Sequence, residues 1–330
     1  MAGKMTHRER TMAALKGDEV DRPPISMWRH FFGQETSGEG LAEAMLGFQR
    51  NFDWDFMKVN PRASYHAEGW GLKVRYEDGR PPQVVETPVR EPDDWLKLEV
   101  LSPDQGALAE QLHALELIAG GLDGQVPFLA TVFTPFSIAS RLAPSEDHFL
   151  RDIRQHPEQV QQALDVVTET FTAFSKACLE RGASGLFYAT TTWATTQRMA
   201  EDEYRRFALP HDLKLLNALP PAEFHVLHVC QDHNMLNSLA DYPVHAFNWD
   251  VWGTGNPALA EGRSLVRGRP AIGGLAHGSP LVQATPQELA GVVRGIGAAL
   301  GRKSWMLGTG CTFPPETPEA NISAIRQAVE

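Results

Sequence analysis

Eight short apolar runs, amphipathic stretches between them and a length of 330 residues predict an α/β protein. The expected architecture is a single-domain (β/α)8 TIM barrel spanning 1–330, with an N-terminal helical extension and a β-hairpin insertion. Each run is too short for a helix and rich in β-branched or aromatic residues, as a strand in a parallel sheet requires. In chain order the runs begin with ISMW (25–28), FMKV (56–59), PFLATVF (127–133) and GLFYAT (185–190). FHVLHVC (224–230), AFNWD (246–250), AIGGL (271–275) and SWMLGTG (304–310) complete the set.

The segments between the runs read as helices. Residues 1–20 are expected to be a helical extension leading into Asp21-Arg22-Pro23-Pro24. The clearest helix runs from Pro157 to Arg181, where Val160, Leu164, Val167, Phe171, Phe174 and Cys178 recur at steps of four and three. That spacing makes one apolar stripe. Pro157 sits in the first turn, where its missing N–H costs nothing, and Gly182 stands just past the end. Tyr65 to Pro103 breaks the rhythm. GLKVRYEDGRPPQVVETPV reads there as a hairpin whose turn is Glu77-Asp78-Gly79-Arg80-Pro81-Pro82.

Composition narrows the function. Lys and Arg total 30 against 41 Asp and Glu, a net charge of −11, which argues against nucleic-acid partners. No apolar run approaches the roughly 20 residues that cross a bilayer. The polar start MAGKMTHRER is not followed by a signal core, so a cytoplasmic location is expected. Three scattered cysteines do not make a disulfide scaffold.

A TIM barrel gathers its chemistry at the C-terminal ends of its strands. His228 and Cys230 end the fifth run two residues apart, so both side chains face one way. Cys311 follows Gly308-Thr309-Gly310 at the end of the last run. One imidazole and two thiolates make a ligand set for Zn2+ with a fourth position open to substrate. The competing reading is that Cys230 is buried packing, as Cys178 on the helix stripe is expected to be. Asp250 is a candidate carboxylate beside the metal or a helix cap, and His277 a candidate at the mouth. His233 is placed on the loop after the H-x-C as a fourth ligand or a supporting contact, while His225 is expected to face the helices. Lys58 and Asn60 end the second run, and Thr190-Thr191-Thr192-Trp193 is a hydroxyl-rich pocket wall.

Several of these segments together resemble the uroporphyrinogen decarboxylase superfamily, which includes zinc-dependent methylcobalamin:coenzyme M-type methyltransferases. The likeness begins at Asp21-Arg22-Pro23-Pro24. It continues through Gly185–Thr190, Glu203, Tyr204 and Phe207, and ends on Cys311-Thr-Phe-Pro-Pro-Glu-Thr-Pro-Glu-Ala-Asn321-Ile. The resemblance implies the same barrel. The decarboxylase branch is similar in an Arg-Gln-Ala-Gly-Arg motif where this chain reads Met27-Trp28-Arg29-His30-Phe31-Phe32-Gly33-Gln34-Glu35. That branch has an Asp where Asn60 stands and a His in place of Cys311. The methyltransferase branch has H-x-C and a later Cys as zinc ligands, matching His228, Cys230 and Cys311. It often has Gly after the H-x-C, where this chain has Gln231.

The resemblance therefore implies zinc-dependent methyl transfer to a small-molecule thiol, with methylcobalamin or a corrinoid protein as donor. Arg29 or Lys58 would hold an anionic tail. Asn60, Thr191 and Trp193 would line the substrate pocket, with Asp250 and His277 in supporting catalytic positions. Two alternatives stay open: metal-free porphyrinogen decarboxylation, and a non-catalytic barrel that binds a corrinoid or small ligand. A homodimer is compatible with the sequence, which does not fix the oligomeric state.

Overall fold

The structure is a computed structural model that describes residues 4–77 and 79–330. Among the described residues nine strands appear in chain order: β1 (Met57–Lys58), β2 (Lys73–Arg75), β3 (Gln83–Glu86), β4 (Phe128–Phe133), β5 (Gly185–Ala189), β6 (Val226–Val229), β7 (Ala246–Trp249), β8 (Ala271–Leu275) and β9 (Trp305–Thr309). Seven of them form one parallel sheet in the order β1-β4-β5-β6-β7-β8-β9, with helices in the connections, a TIM-barrel-like arrangement. β2 and β3 pair antiparallel as a separate ribbon. Asp78, in the turn expected between them, lies outside the described residues.

The expected strand at 25–28 is corrected to a single parallel bridge between Ile25 and Leu307. The chemistry of its neighbours explains why. Pro23 and Pro24 carry no N–H for a ladder. The Ile25 N–H is taken by the Asp55 carboxylate at 2.8 Å, not by a backbone carbonyl. Contact with β9 survives through Ser26 N–H to the Leu307 carbonyl (3.1 Å) and Leu307 N–H to the Pro24 carbonyl (2.8 Å). On the other side, Asp55 N–H donates to the Ile25 carbonyl at 2.9 Å. Asp55 also accepts from Arg10 at 2.6 Å and Arg22 at 2.6 Å, which fastens the N-terminal segment under the sheet. The N-terminal extension folds as the helix His7–Lys16, with Thr6 and Glu9 closing a capping box.

The helix Pro157–Glu180 buries the stripe read from the sequence, including Cys178, which has no exposed surface. Gly182 takes φ +96° just beyond it, a left-handed conformation that glycine adopts without strain. None of the described helices is long and apolar enough to cross a membrane.

Behind β5, the Asp212 carboxyl accepts hydrogen bonds from the hydroxyls of Tyr188 (2.9 Å), Tyr242 (2.6 Å) and Tyr204 (3.3 Å). Burial pushes this carboxyl up from 3.8 to about 7 in spite of those donors. Between these two pH values the folded state holds a proton that the unfolded state has released. The contribution to stability is therefore present below the unfolded value and lost as pH rises through the window. Asp212→Asn removes this titration but turns an amide N–H2 toward tyrosine donors. Urea unfolding is expected to find the variant clearly less stable at about pH 5, with the deficit narrowing at about pH 8. A deficit that stays constant or widens would contradict the assignment.

Candidate metal centre

β6 and β7 run parallel in a register that pairs His228 with Asn248. Parallel partners present their side chains to the same face, here the interior of the curled sheet. The two residues meet there: His228 Nδ1 lies 2.6 Å from Asn248 Oδ1. The Asn248 amide nitrogen donates to the carbonyls of Ile272 (2.8 Å) and Thr309 (3.1 Å), so the orientation of the amide is decided. Its oxygen can only accept, so His228 carries its proton on Nδ1 and presents the Nε2 lone pair. The Phe187 ring stacks on the imidazole at 5.3 Å. His228 is thus fixed in both tautomer and plane before any ligand arrives.

Cys230 continues from β6, and Cys311 follows β9 after Gly310. A Cβ at position 310 would come within 2.6 Å of the Asp250 backbone, so glycine lets the two segments close together. Cys311 Sγ lies 3.6 Å from His228 Nε2 and 3.8 Å from Cys230 Sγ. All three donor atoms fall within 4.8 Å of one another. The hydrogen bond from Cys230, together with nearby His228 and His277, holds the Cys311 thiol well below its ordinary range. The proton shared between the sulfurs raises Cys230 correspondingly. Two soft sulfurs, one of them readily ionised, and an imidazole lone pair aimed at the same point suit a zinc ion.

A cavity of about 220 Å3 opens over these groups, walled by Trp28, Lys58, Asn60, Phe187, Thr191 and Gln231 among others. The Lys58 ammonium donates to Asn60 Oδ1 and stands 5.1 Å over the Phe187 ring. Burial pulls it down to about 7, with Cys311 and Glu35 opposing the shift. Two non-glycine residues that line the cavity have left-handed backbones: Thr191 (φ +49°) and Gln231 (φ +76°). Such conformations cost on the order of 1 kcal/mol or more and concentrate at working sites.

The remaining candidates divide. Asp250 stands at the rim, where its Oδ1 accepts from Trp252 N–H at 3.0 Å, a turn-capping role. Its other oxygen lies 3.5 Å from His277 Nδ1, and this carboxylate raises the His277 pKa. His233 is not among the three clustered donors; its ring packs on Gly255, where a Cβ would approach within 2.4 Å. His225 accepts from Leu186 N–H at 3.1 Å, away from the cluster.

Two substrate-pocket expectations are corrected. Arg29 donates to the Pro315 carbonyl at 2.9 Å and lies over the rings of Phe31 and Phe48. It follows Trp28, whose ring occupies the interior, and alternation turns Arg29 away from the cavity. Trp193 is core, 1% exposed, with its indole N–H on Ser140 Oγ at 2.9 Å and its ring edge-on to Phe136. The roles of Asn248 and Phe187 are not legible in the sequence alone. The signal for both is register: each lies on the interior face beside His228, which no single strand reveals.

The uroporphyrinogen decarboxylase (URO-D) family model matches residues 6–330. The methylcobamide:CoM methyltransferase MtbA of Methanosarcina acetivorans is 24% identical over 339 residues, covering 96% of this chain and 95% of its own. A uroporphyrinogen decarboxylase of Syntrophotalea carbinolica is 28% identical over 270 residues, covering 79% and 75%. Among solved structures, a methyltransferase from Methanosarcina mazei superposes with TM-score 0.86 at 21% identity and covers 98% of both chains. Relatives of both activities are similar to most of the chain, so the side chains in the cavity must discriminate.

Proposed function

The chain belongs to the uroporphyrinogen decarboxylase family, and from that premise we propose that it is a zinc-dependent methyltransferase. It moves a methyl group from a corrinoid or similar donor to a small-molecule thiol. We read the whole chain as one (β/α)8 barrel domain, with the segment around Ile25 as the eighth stave. The observation that carries the functional reading is the convergence of His228 Nε2 and the sulfurs of Cys230 and Cys311 within 4.8 Å. Relatives of matching length include methylcobamide:CoM methyltransferases, which supports the same branch.

His228, Cys230 and Cys311 would hold the zinc, and Asn248 keeps the Nε2 lone pair available to it. Bound there, zinc supplies Lewis acidity that lets a thiol lose its proton near neutral pH. Phe187 and Trp28 exclude water from one side of the cavity, so a thiolate is poorly solvated and more nucleophilic. Lys58, buried beside it, opposes the negative charge of an incoming thiolate. His277, whose Nδ1 lies 3.5 Å from Asp250 Oδ2, would take the released proton.

Porphyrinogen decarboxylation fits these residues less well. Arg29 is engaged with Pro315 outside the cavity, and Asn60 brings no negative charge to pyrrole N–H groups. The test is methyl transfer from methylcobalamin to mercaptoethanol, read as the thioether product. Activity should require about one zinc per chain, disappear with a chelator and return with zinc. Product formation indifferent to chelation, or metal-free decarboxylation of uroporphyrinogen, would overturn the proposal.

A further inference from the structure

A second cavity of about 490 Å3 adjoins the first and shares Ala63, Phe133, Thr191 and Thr192 with it. The ribbon strand β3 contributes Val84, and the helix Pro135–Leu142 contributes Ser137, Ser140 and Arg141. Most polar groups in the wall are already engaged. Ser137 Oγ donates to the Thr190 carbonyl at 2.9 Å and accepts from Thr191 at 2.8 Å. Ser140 Oγ donates to the Ser137 carbonyl at 2.7 Å and accepts from Trp193. Thr192 donates to Glu146 at 2.8 Å, and the other Glu146 oxygen pairs with Arg198 at 3.0 Å.

Two ionisable groups are left over. The Arg141 guanidinium has no ion-pair partner among the described residues, although it lines the cavity. Enough protein surrounds it that burial lowers its pKa, with only Glu146 opposing. His66 is 5% exposed, and its Nδ1 has no hydrogen-bond partner among the described residues. Burial and the Arg141 charge push His66 down to about 3, so the ring is neutral and offers one N–H. With Glu146 and Arg198 balancing each other, the wall carries one uncompensated positive charge.

We infer that this second cavity is a carboxylate subsite built on Arg141 and His66, taking the far end of an elongated substrate whose other end reaches His228, Cys230 and Cys311. It rests on the thiol-methylation reading only for what that second end does. The guanidinium fork matches a carboxylate in a bidentate geometry, and a single uncompensated charge suits a monoanion better than a phosphate. Val84 and Phe133 offer apolar surface to an alkyl chain between the two ends.

The test has two arms on the full-length protein. Hexanoate is titrated calorimetrically into metal-stripped protein, the Arg141→Met variant, and Arg205→Met as an exposed-arginine control. Arg141→Met should weaken binding about tenfold or more, and the control should not. In the second arm, mercaptoalkanoates from mercaptopropionate to mercaptooctanoate are compared with the matching mercaptoalkanols on cobalt-loaded protein. The readout is the thiolate-to-cobalt absorption band. At one or more chain lengths the carboxylate should bind about tenfold tighter than the alcohol, an advantage that Arg141→Met abolishes without changing alcohol affinity. Hexanoate binding equally to all three proteins, or an advantage that survives Arg141→Met, overturns the subsite. If no thiol perturbs the cobalt band, the methylation reading fails while the hexanoate arm still decides the subsite.

Discussion

Cys311→Ala is expected to leave the purified protein with little zinc and no measurable methyl transfer, while Cys178→Ala keeps both. Loss of a group that merely supports a metal ligand costs roughly 10–100-fold in affinity, and loss of one of three ligands should exceed that. Cys230→Ala should behave in the same way, because its sulfur lies 3.8 Å from Cys311 Sγ in the same cluster. Cys178 is the informative control. It is a fully buried thiol on the helix Pro157–Glu180, and burial pushes its pKa far above the thiol range. Zinc content by elemental analysis, with thermal melts to establish folding, separates the outcomes. A folded Cys311→Ala protein that retains one zinc would remove the metal centre from the mechanism, and a Cys178→Ala protein that loses zinc would do so equally.

How far the sequence reveals such a site depends on whether the information is local. The H-x-C pair is local: period two along a strand puts both side chains on one face. Cys311 is less so, but Gly308-Thr309-Gly310 marks a strand end where backbones approach closely. The helix Pro157–Glu180 is legible from end to end because its stripe, its N-terminal proline and its trailing glycine all lie within one segment. What escapes is pairwise. Asn248 matters only because β6 and β7 align it with His228, and Arg29 turns outward only because Trp28 takes the interior position. The expected first strand reduces to one bridge because a side chain 30 residues away, Asp55, captures the Ile25 N–H. Thr191 and Trp193 share one short stretch of the sequence. The chain reverses between them, placing one at the cavity and the other in the core.

Asn248 yields the second large effect, and two substitutions there should separate its two roles. The residue has no exposed surface and satisfies three partners: the His228 Nδ1–H and the carbonyls of Ile272 and Thr309. Asn248→Leu keeps the volume and deletes all three interactions. Each buried polar group left unpaired costs about 1–3 kcal/mol, so a loss on the order of 3 kcal/mol or more in urea unfolding is expected. The imidazole is also released to rotate or to move its proton to Nε2, which should lower zinc affinity roughly 10–100-fold. Asn248→Asp retains an oxygen for His228 but removes the N–H2 from the two carbonyls. It should therefore be destabilised to a similar or greater degree while holding zinc within a few-fold of the native protein, since a carboxylate partner supports imidazole basicity. Zinc affinity is read by competition with a chromophoric chelator, and stability on the same samples. If Asn248→Leu loses stability but binds zinc as tightly as the native chain, Asn248 is only a brace between β8 and β9. If Asn248→Asp loses zinc as severely as Asn248→Leu, the lost contacts to the two carbonyls, not the tautomer of His228, control the metal centre.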